Sequence, residues 1–189
     1  MKVLIIPEDQ ELDRYIVHPV IEALFDDLEV KARVQVLPEP RLHGAGDALD
    51  AAVVREIVEA NPMEDLFLLV VDGDCNREGN DGRAAERQRE HEDKLIACVA
   101  REEVEVWLLA LHKDKLDTPY FKDVRTHCDP KERWAQPLLR KLGSAGPGHG
   151  RKSAMRALKG NWRSLCDTCT ELRDLKERIA AFVTELAIR

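Results

Sequence analysis

The sequence has no run of apolar residues long enough to cross a membrane. No window of the 189-residue chain approaches the roughly 18 uninterrupted apolar residues of a membrane-spanning helix. The apolar stretch 1–6 reaches Pro7 and Glu8 at once, which is too short for the core of a signal peptide. We therefore expect a cytoplasmic protein with no membrane segment.

Aromatic residues and cysteines are also scarce. Only 5% of the residues are aromatic, so the core is expected to consist of Leu, Val, Ile and Ala. The five cysteines are odd in number and irregular in spacing, and a chain of this size needs no disulfide, so we expect free thiols. A composition of 44% hydrophobic and 34% charged residues excludes a disordered chain.

The net charge of −7 argues against a general DNA-coating protein, but the charge is unevenly distributed. The window 131–163 contains nine Lys or Arg and one acid, Glu132, so it carries +8 and the rest of the chain carries −15. This division predicts an electropositive surface beside an acidic body.

Alternating apolar runs and amphipathic stretches predict an α/β fold with a mostly parallel sheet flanked by helices. The predicted strands are 2–6, 33–37, 66–71 and 104–111, the last being either a strand or a strand running into a helix. A long charged helix is predicted from about residue 83 to 100. We expect an α/β core over 1–112 and a basic, partly helical extension packed on it over 113–189. A closing helix is predicted from the apolar stripe of Leu172, Leu175, Ile179, Phe182 and Leu186.

Acidic residues stand at the predicted strand ends. Glu8 follows the first strand, Asp72 and Asp74 follow the third around Gly73, and Glu105 lies in the apolar fourth strand. Because ligands bind at the carboxyl ends of parallel strands, we expect these acids to converge. Carboxylates suit Mg²⁺ or Mn²⁺, and two such ions can act on both sides of a phosphodiester. For each acid alone, solvation or helix capping is the alternative.

The segments Ile5-Ile6-Pro7-Glu8 and Val71-Asp72-Gly73-Asp74 resemble the motifs of Toprim domains, which occur in topoisomerases, primases and OLD-family nucleases. The stretch from Glu105 to Leu109 is similar to a segment of small Toprim-like proteins of phage defence, often encoded beside an ABC- or SMC-like ATPase. The resemblance covers about residues 1–112. It implies Glu8 as metal ligand or general base, Asp72 and Asp74 as metal ligands, and Glu105 as a second-metal ligand. Asp9 stands where Toprim domains usually have Gly.

The basic window offers a nucleic-acid-binding surface. Arg151, Lys152, Arg156 and Lys159 follow the loop 146–150, and the spacing of the last three predicts a shared helix face. The loop does not match a Walker A motif, which argues against nucleotide hydrolysis by that route. The alternatives are a solvated basic helix or a dock for an acidic partner.

Other residues suggest weaker candidate sites. His127-Cys128 with Cys166 and Cys169 could form a zinc site, with ordinary thiols as the alternative. His149 could assist phosphate chemistry beside the basic loop. Trp134 and Trp162 could stack on bases, although burial is the expected role.

The four carboxylates and the basic window predict a metal-dependent nuclease acting on DNA or RNA. The resemblance implies an effector of bacterial anti-phage defence with an ATPase partner, and a homo-oligomer is possible. The alternative is a non-catalytic Toprim-like scaffold or regulatory subunit that docks onto that ATPase. A phosphotransfer receiver is disfavoured because no apolar strand ends in Lys.

Overall fold

A four-stranded parallel sheet forms the centre of the structure, a computed structural model that describes residues 1–118, 120–143 and 145–188. The strands are β1 (Lys2–Pro7), β2 (Arg33–Val36), β3 (Leu66–Asp72) and β4 (Leu95–Ala100). They lie in the order β2-β1-β3-β4, and each neighbouring pair is parallel. The predicted α/β class with a parallel sheet is confirmed.

Helices connect the strands and form most of the chain after β4. They are α1 (Arg14–Asp27), α2 (Ala45–Ala48), α3 (Ala51–Ala60), α4 (Arg77–Glu90), α5 (Glu105–Ala110), α6 (Phe121–Val124), α7 (Gln136–Lys141), α8 (Arg151–Ala154), α9 (Trp162–Thr168) and α10 (Thr170–Ile188). Short 3₁₀ turns cover Asp74–Asn76, Lys113–Lys115 and Met155–Leu158, and Lys131–Ala135 forms a π-helical turn.

The two faces of the sheet are covered by different parts of the chain. Val3 and Ile5 of β1 pack in a core with α1 and the helices from α5 onward. Leu4 and Ile6 point to the opposite face and pack with α2, α3 and α4. Every residue of β3 is buried, as expected for a central strand covered on both faces.

The fourth strand is not where the sequence pattern predicts it. β4 occupies 95–100, inside the predicted charged helix, and the segment predicted as a strand instead begins helix α5 at Glu105. All six residues of α5 are buried, so this helix has no polar face from which a helical period could be recognised. The run Leu95–Ala100 forms a strand because it pairs with β3 from Phe67 to Asp72.

The chain after residue 112 shares a core with the sheet. Trp134, Leu165 and Ile179 belong to the same buried cluster as Val3 and Trp107. In α10, Leu172, Leu175 and Ile179 are buried as the apolar stripe predicts, whereas Leu186 is exposed. Within the described ranges, no helix combines the length and the apolar character needed to span a membrane.

The strand order creates a crevice between β1 and β3. The chain leaves β1 toward β2 on one side and later extends the sheet through β3 and β4 on the other. Such a reversal separates the connections at the carboxyl ends of the two central strands, where parallel sheets bind ligands. The segments after β1 and β3 are those that carry Glu8, Asp72 and Asp74.

Candidate metal centre

Glu8 and Asp72 meet at the crevice between β1 and β3. Glu8 directly follows β1, Asp72 is the last residue of β3, and the Asp72 backbone N–H donates to Glu8 Oε2 at 3.1 Å. The parallel pairing of the two strands brings together residues 64 positions apart. The structure therefore joins these two predicted site residues, while their roles stay predictions.

The Asp72 side chain is directed into the protein. Its Oδ1 accepts a hydrogen bond of 2.8 Å from the Val104 backbone N–H, and only 8% of the residue is exposed. Burial raises the Asp72 pKa well above its usual range, and the nearby carboxyls of Asp13, Glu105 and Glu8 raise it further. Burial and the neighbouring carboxyls therefore disfavour the ionised form of Asp72.

Gly73 lets the chain turn directly after Asp72. A Cβ at this position would lie 2.7 Å from the carbonyl oxygens of both Ala100 and Arg101, so only glycine fits. Asp74 follows with φ of +47°, a left-handed conformation rare for residues other than glycine, and its N–H donates to the Glu102 carbonyl at 2.8 Å. The turn places Asp74 beside the segment that follows β4.

Glu103 completes a cluster with Asp72 and Asp74. One carboxylate oxygen from each of the three residues lies within 4.8 Å of the other two. The Lys131 backbone N–H donates to Glu103 Oε2 at 2.6 Å, and burial raises the Glu103 pKa to about 7. Sequence reasoning missed Glu103 because it placed the fourth strand too late. With β4 at 95–100, the rule that acids follow strands would have selected it.

Glu105, the predicted second-metal ligand, has a different partner. It is fully buried, its Oε1 accepts from Arg151 Nη2 at 2.6 Å, and Lys131 Nζ lies 3.8 Å from the same oxygen. Its Oε2 has no hydrogen-bond partner among the described residues. A carboxylate in apolar surroundings needs a partner, and the partner of Glu105 is Arg151. Glu105 lies outside the three-carboxylate cluster.

Asp13 is a second acid that sequence reasoning missed. It lies just before α1, is 3% exposed and accepts from the Asp9 backbone N–H at 3.0 Å. Burial raises its pKa to about 8, with further contributions from Glu105 and Asp9. Asp13, Glu8, Asp72 and Lys131 line a cleft of about 280 Å³, so a cation, Lys131, stands among these acids.

The four predicted nucleic-acid-binding residues do not share one surface. Arg151 is 3% exposed and holds Glu105, so it is unavailable to a polyanion. Lys152, Arg156 and Lys159 are exposed. Lys159 lies beyond the 3₁₀ turn with ψ of 113°, so the predicted helix face is wrong at this residue.

The cysteines differ from the prediction of free thiols. Cys75 and Cys128 form a disulfide with Cα atoms 5.1 Å apart, whereas Cys98, Cys166 and Cys169 are buried thiols. The bond removes Cys128 from the suggested zinc site. It also links the residue after Asp74 to the segment just before Lys131.

The remaining candidate residues are two histidines and two tryptophans. His127 packs edge-on against Trp134 with ring centroids 5.1 Å apart, and His149 is an exposed residue with a φ of +53°. Trp134 and Trp162 are each 8% exposed, which confirms the expected burial.

No family model, curated protein or solved structure matches this chain. The resemblance to Toprim domains therefore depends on the residues quoted above and stays a prediction. The observed features are a four-stranded parallel sheet and an acidic cluster at its carboxyl edge.

Proposed function

We propose that the protein is a Mg²⁺- or Mn²⁺-dependent nuclease that hydrolyses phosphodiester bonds in DNA or RNA. The observation that carries the proposal is the approach of Asp72, Asp74 and Glu103 oxygens to within 4.8 Å, beside Glu8 at the crevice of a parallel sheet. Oxygen ligands of this kind suit hard divalent cations.

The electrostatics of the cluster support a cation there. Burial raises the pKa values of all four acids, which are Glu8, Asp72, Asp74 and Glu103. A bound divalent ion would stabilise the ionised forms that burial and mutual repulsion disfavour. Asp72, Asp74 and Glu103 are the residues that would hold it, and it would supply a water of lowered pKa and neutralise charge on a phosphate.

The other residues of the cleft have chemistry suited to a phosphodiester. Glu8 is held by the Asp72 N–H and lines the acidic cleft, where its carboxylate would orient a water or serve as a ligand. Asp13, with a pKa of about 8, keeps its proton at neutral pH and is therefore a proton donor lining the cleft. Lys131 supplies positive charge for an anionic substrate.

The proposal also includes the fold family of the core and a biological role. We assign a Toprim-like fold to the core because an acid follows β1 and the Asp72-Gly73-Asp74 motif spans the end of β3. A role as effector of a bacterial defence system with an ABC- or SMC-like ATPase partner, and self-association, stay predictions from the resemblance.

The alternative is a non-catalytic scaffold or regulatory subunit. The contacts of two acids favour it: Glu105 bonds to Arg151, and Glu102 Oε2 lies 3.2 Å from Arg125 Nε. Arg125 also forms a bidentate ion pair with Glu171, so the Glu102–Arg125–Glu171 network stabilises the packing of α10. Acids with arginine partners do not need a metal ion.

Cleavage assays with purified full-length protein test the nuclease. Plasmid DNA and tRNA are incubated with Mg²⁺, with Mn²⁺ and with EDTA, for the wild type and for Asp72→Asn and Glu103→Gln. We expect cleavage with the metals only, and at least a hundredfold loss in both variants. Asp93→Asn removes an exposed carboxylate away from the site and should retain full activity.

Calorimetry with Mn²⁺ separates the two functions. Binding that is lost in Asp72→Asn and kept in Asp93→Asn supports a metal centre. Absence of binding at millimolar Mn²⁺ would contradict the nuclease and favour the scaffold. Cleavage by Asp72→Asn at the wild-type rate would show that the site is assigned to the wrong residues.

A further inference from the structure

A second cleft, with cationic side chains, lies between α1, β2 and the segment 152–156. Its volume is about 600 Å³. Arg14, Lys152 and Arg156 supply its positive charge, whereas apolar surface comes from Val34, Val36 and Met155. We refer to it as the cationic cleft.

The three cations of this cleft are not neutralised by the protein. None of them forms an ion pair with a carboxylate in the part of the chain that the structure describes. Glu22, an acid of the lining, instead lies 3.2 Å from His18 Nδ1. The charge is therefore available to an anionic ligand.

Neighbouring residues of the chain connect the cationic cleft with the acidic cleft. Asp13 lines the acidic cleft and the next residue, Arg14, lines the cationic one. Arg151 bonds to Glu105, and the next residue, Lys152, lines the cationic cleft. Along the chain, the two clefts are therefore one residue apart at the start of α1.

An aromatic ring belongs to the lining of the cationic cleft. Tyr15 lines the cationic cleft, and Gly148 packs so closely on its ring that a Cβ there would overlap it. The Arg14 guanidinium lies 5.8 Å from the ring centroid. The loop 146–150 and Arg14 therefore hold Tyr15 in place beside the cations.

We propose that the cationic cleft binds a single-stranded segment of nucleic acid and directs it into the acidic site. Free cations match the phosphates, and aromatic and apolar surface matches unstacked bases, which a duplex keeps inside its base stack. The proposal rests on the proposed function because it takes nucleic acid as the substrate of the acidic cluster. It adds the strandedness of that substrate and the path by which it enters.

Fluorescence anisotropy tests the cleft without any cleavage. Labelled oligothymidylate is titrated with full-length protein in EDTA at several salt concentrations. For Lys152→Gln with Arg156→Gln we expect about tenfold weaker binding, and a salt slope reduced by about 1.4 for two lost phosphate contacts. Arg55→Gln with Arg89→Gln removes the same charge from exposed positions of α3 and α4, across the sheet, and should leave the affinity unchanged.

Three results would overturn the proposal. They are no binding of the single strand by the wild type, equal weakening in the two double variants, and competition by a duplex as effective as that by the single strand. Asp72→Asn should bind the single strand like the wild type. Binding in EDTA without any cleavage in Mn²⁺ would therefore contradict the nuclease but support the cleft. Cleavage by the wild type, together with unaltered binding by the Lys152/Arg156 variant, would support the nuclease but contradict the cleft.

Discussion

At the scale of single residues, one buried ion pair fixes the position of a segment beside the acidic cleft. Glu105 is fully buried, and Arg151, its partner at 2.6 Å, is 3% exposed. Both ends of the pair have an atom without a hydrogen bond in the described structure, Glu105 Oε2 and Arg151 Nε. Such a pair is costly to desolvate, so its value lies in fixing the segment 148–152 against α5 beside the acidic cleft.

Removing one member of this pair should be far more damaging than removing both. Arg151→Met leaves buried Glu105 with only the longer contact to Lys131 at 3.8 Å, and we expect the free energy of unfolding to fall by about 3 kcal/mol. Glu105→Leu combined with Arg151→Met should recover most of this loss. Urea denaturation followed by circular dichroism measures both, and a single variant as stable as the wild type would disprove the structural role of the pair.

Gly73 is the residue on which the shape of the metal centre depends most directly. In Gly73→Ala the added Cβ meets two backbone carbonyl oxygens at 2.7 Å, so the turn between Asp72 and Asp74 must shift. We expect lower stability and loss of Mn²⁺ binding in calorimetry. Gly82→Ala is the matched control, because Gly82 lies within α4 with open space around it and should gain about 0.5–1 kcal/mol. Mn²⁺ affinity retained by Gly73→Ala would contradict this view of the turn.

At the scale of elements, the apolar pattern predicted β1, β2 and β3 and failed at β4, one of the two edge strands. β1 and β3 are short apolar runs with polar boundaries, so their position and the convergence of Glu8 with Asp72 follow from sequence. β4 and α5 cannot be told apart in this way, because both are short and almost wholly buried. Only pairing with β3 decides which is the strand, and that contact is not local in sequence.

The same limit explains the missed site residues. Glu103 was passed over because it precedes, rather than follows, the segment predicted as the fourth strand. The partnership of Glu105 with Arg151 spans 46 residues, and that of Cys75 with Cys128 spans 53. Neither pairing has a local pattern that reveals it.

The loop after β3 is held at both ends, by Gly73 and by the disulfide from Cys75 to Cys128. Opening a crosslink over 53 residues should lower the free energy of unfolding by about 4 kcal/mol on chain entropy alone. It should also weaken Mn²⁺ binding, because Asp74 loses its tether to the segment before Lys131. Calorimetry and urea denaturation of the wild type and of Cys75→Ser with Cys128→Ser test this. Identical Mn²⁺ affinities would show that the tether has no influence on the site.

For the whole molecule, the uneven charge of the sequence becomes a division of the surface. Acids collect at the carboxyl edge of the sheet, and the basic segment supplies Lys131 to the acidic cleft and Lys152 and Arg156 to the cationic one. A polyanion can approach such an edge only if cations flank it. The arrangement thus places attraction for substrate and affinity for metal side by side.

The buried acids should make stability depend on pH over the whole protein. Burial raises the pKa of Asp13 to about 8 and those of Glu102 and Glu103 to about 7, so above pH 4 the folded state binds more protons than the unfolded state. The free energy of unfolding should therefore fall as the pH rises from about 4 to 8. The lowered pKa of Glu171, caused by Arg125, adds stability that is lost as the pH falls below about 4.5, so it acts at and below the lower end of this window. Urea denaturation across the range should show a shallower slope for Asp13→Asn, and stabilisation by Mn²⁺ that grows with pH. Stability that rises toward pH 8 without metal would contradict the assignment of these acids as groups whose pKa values burial raises.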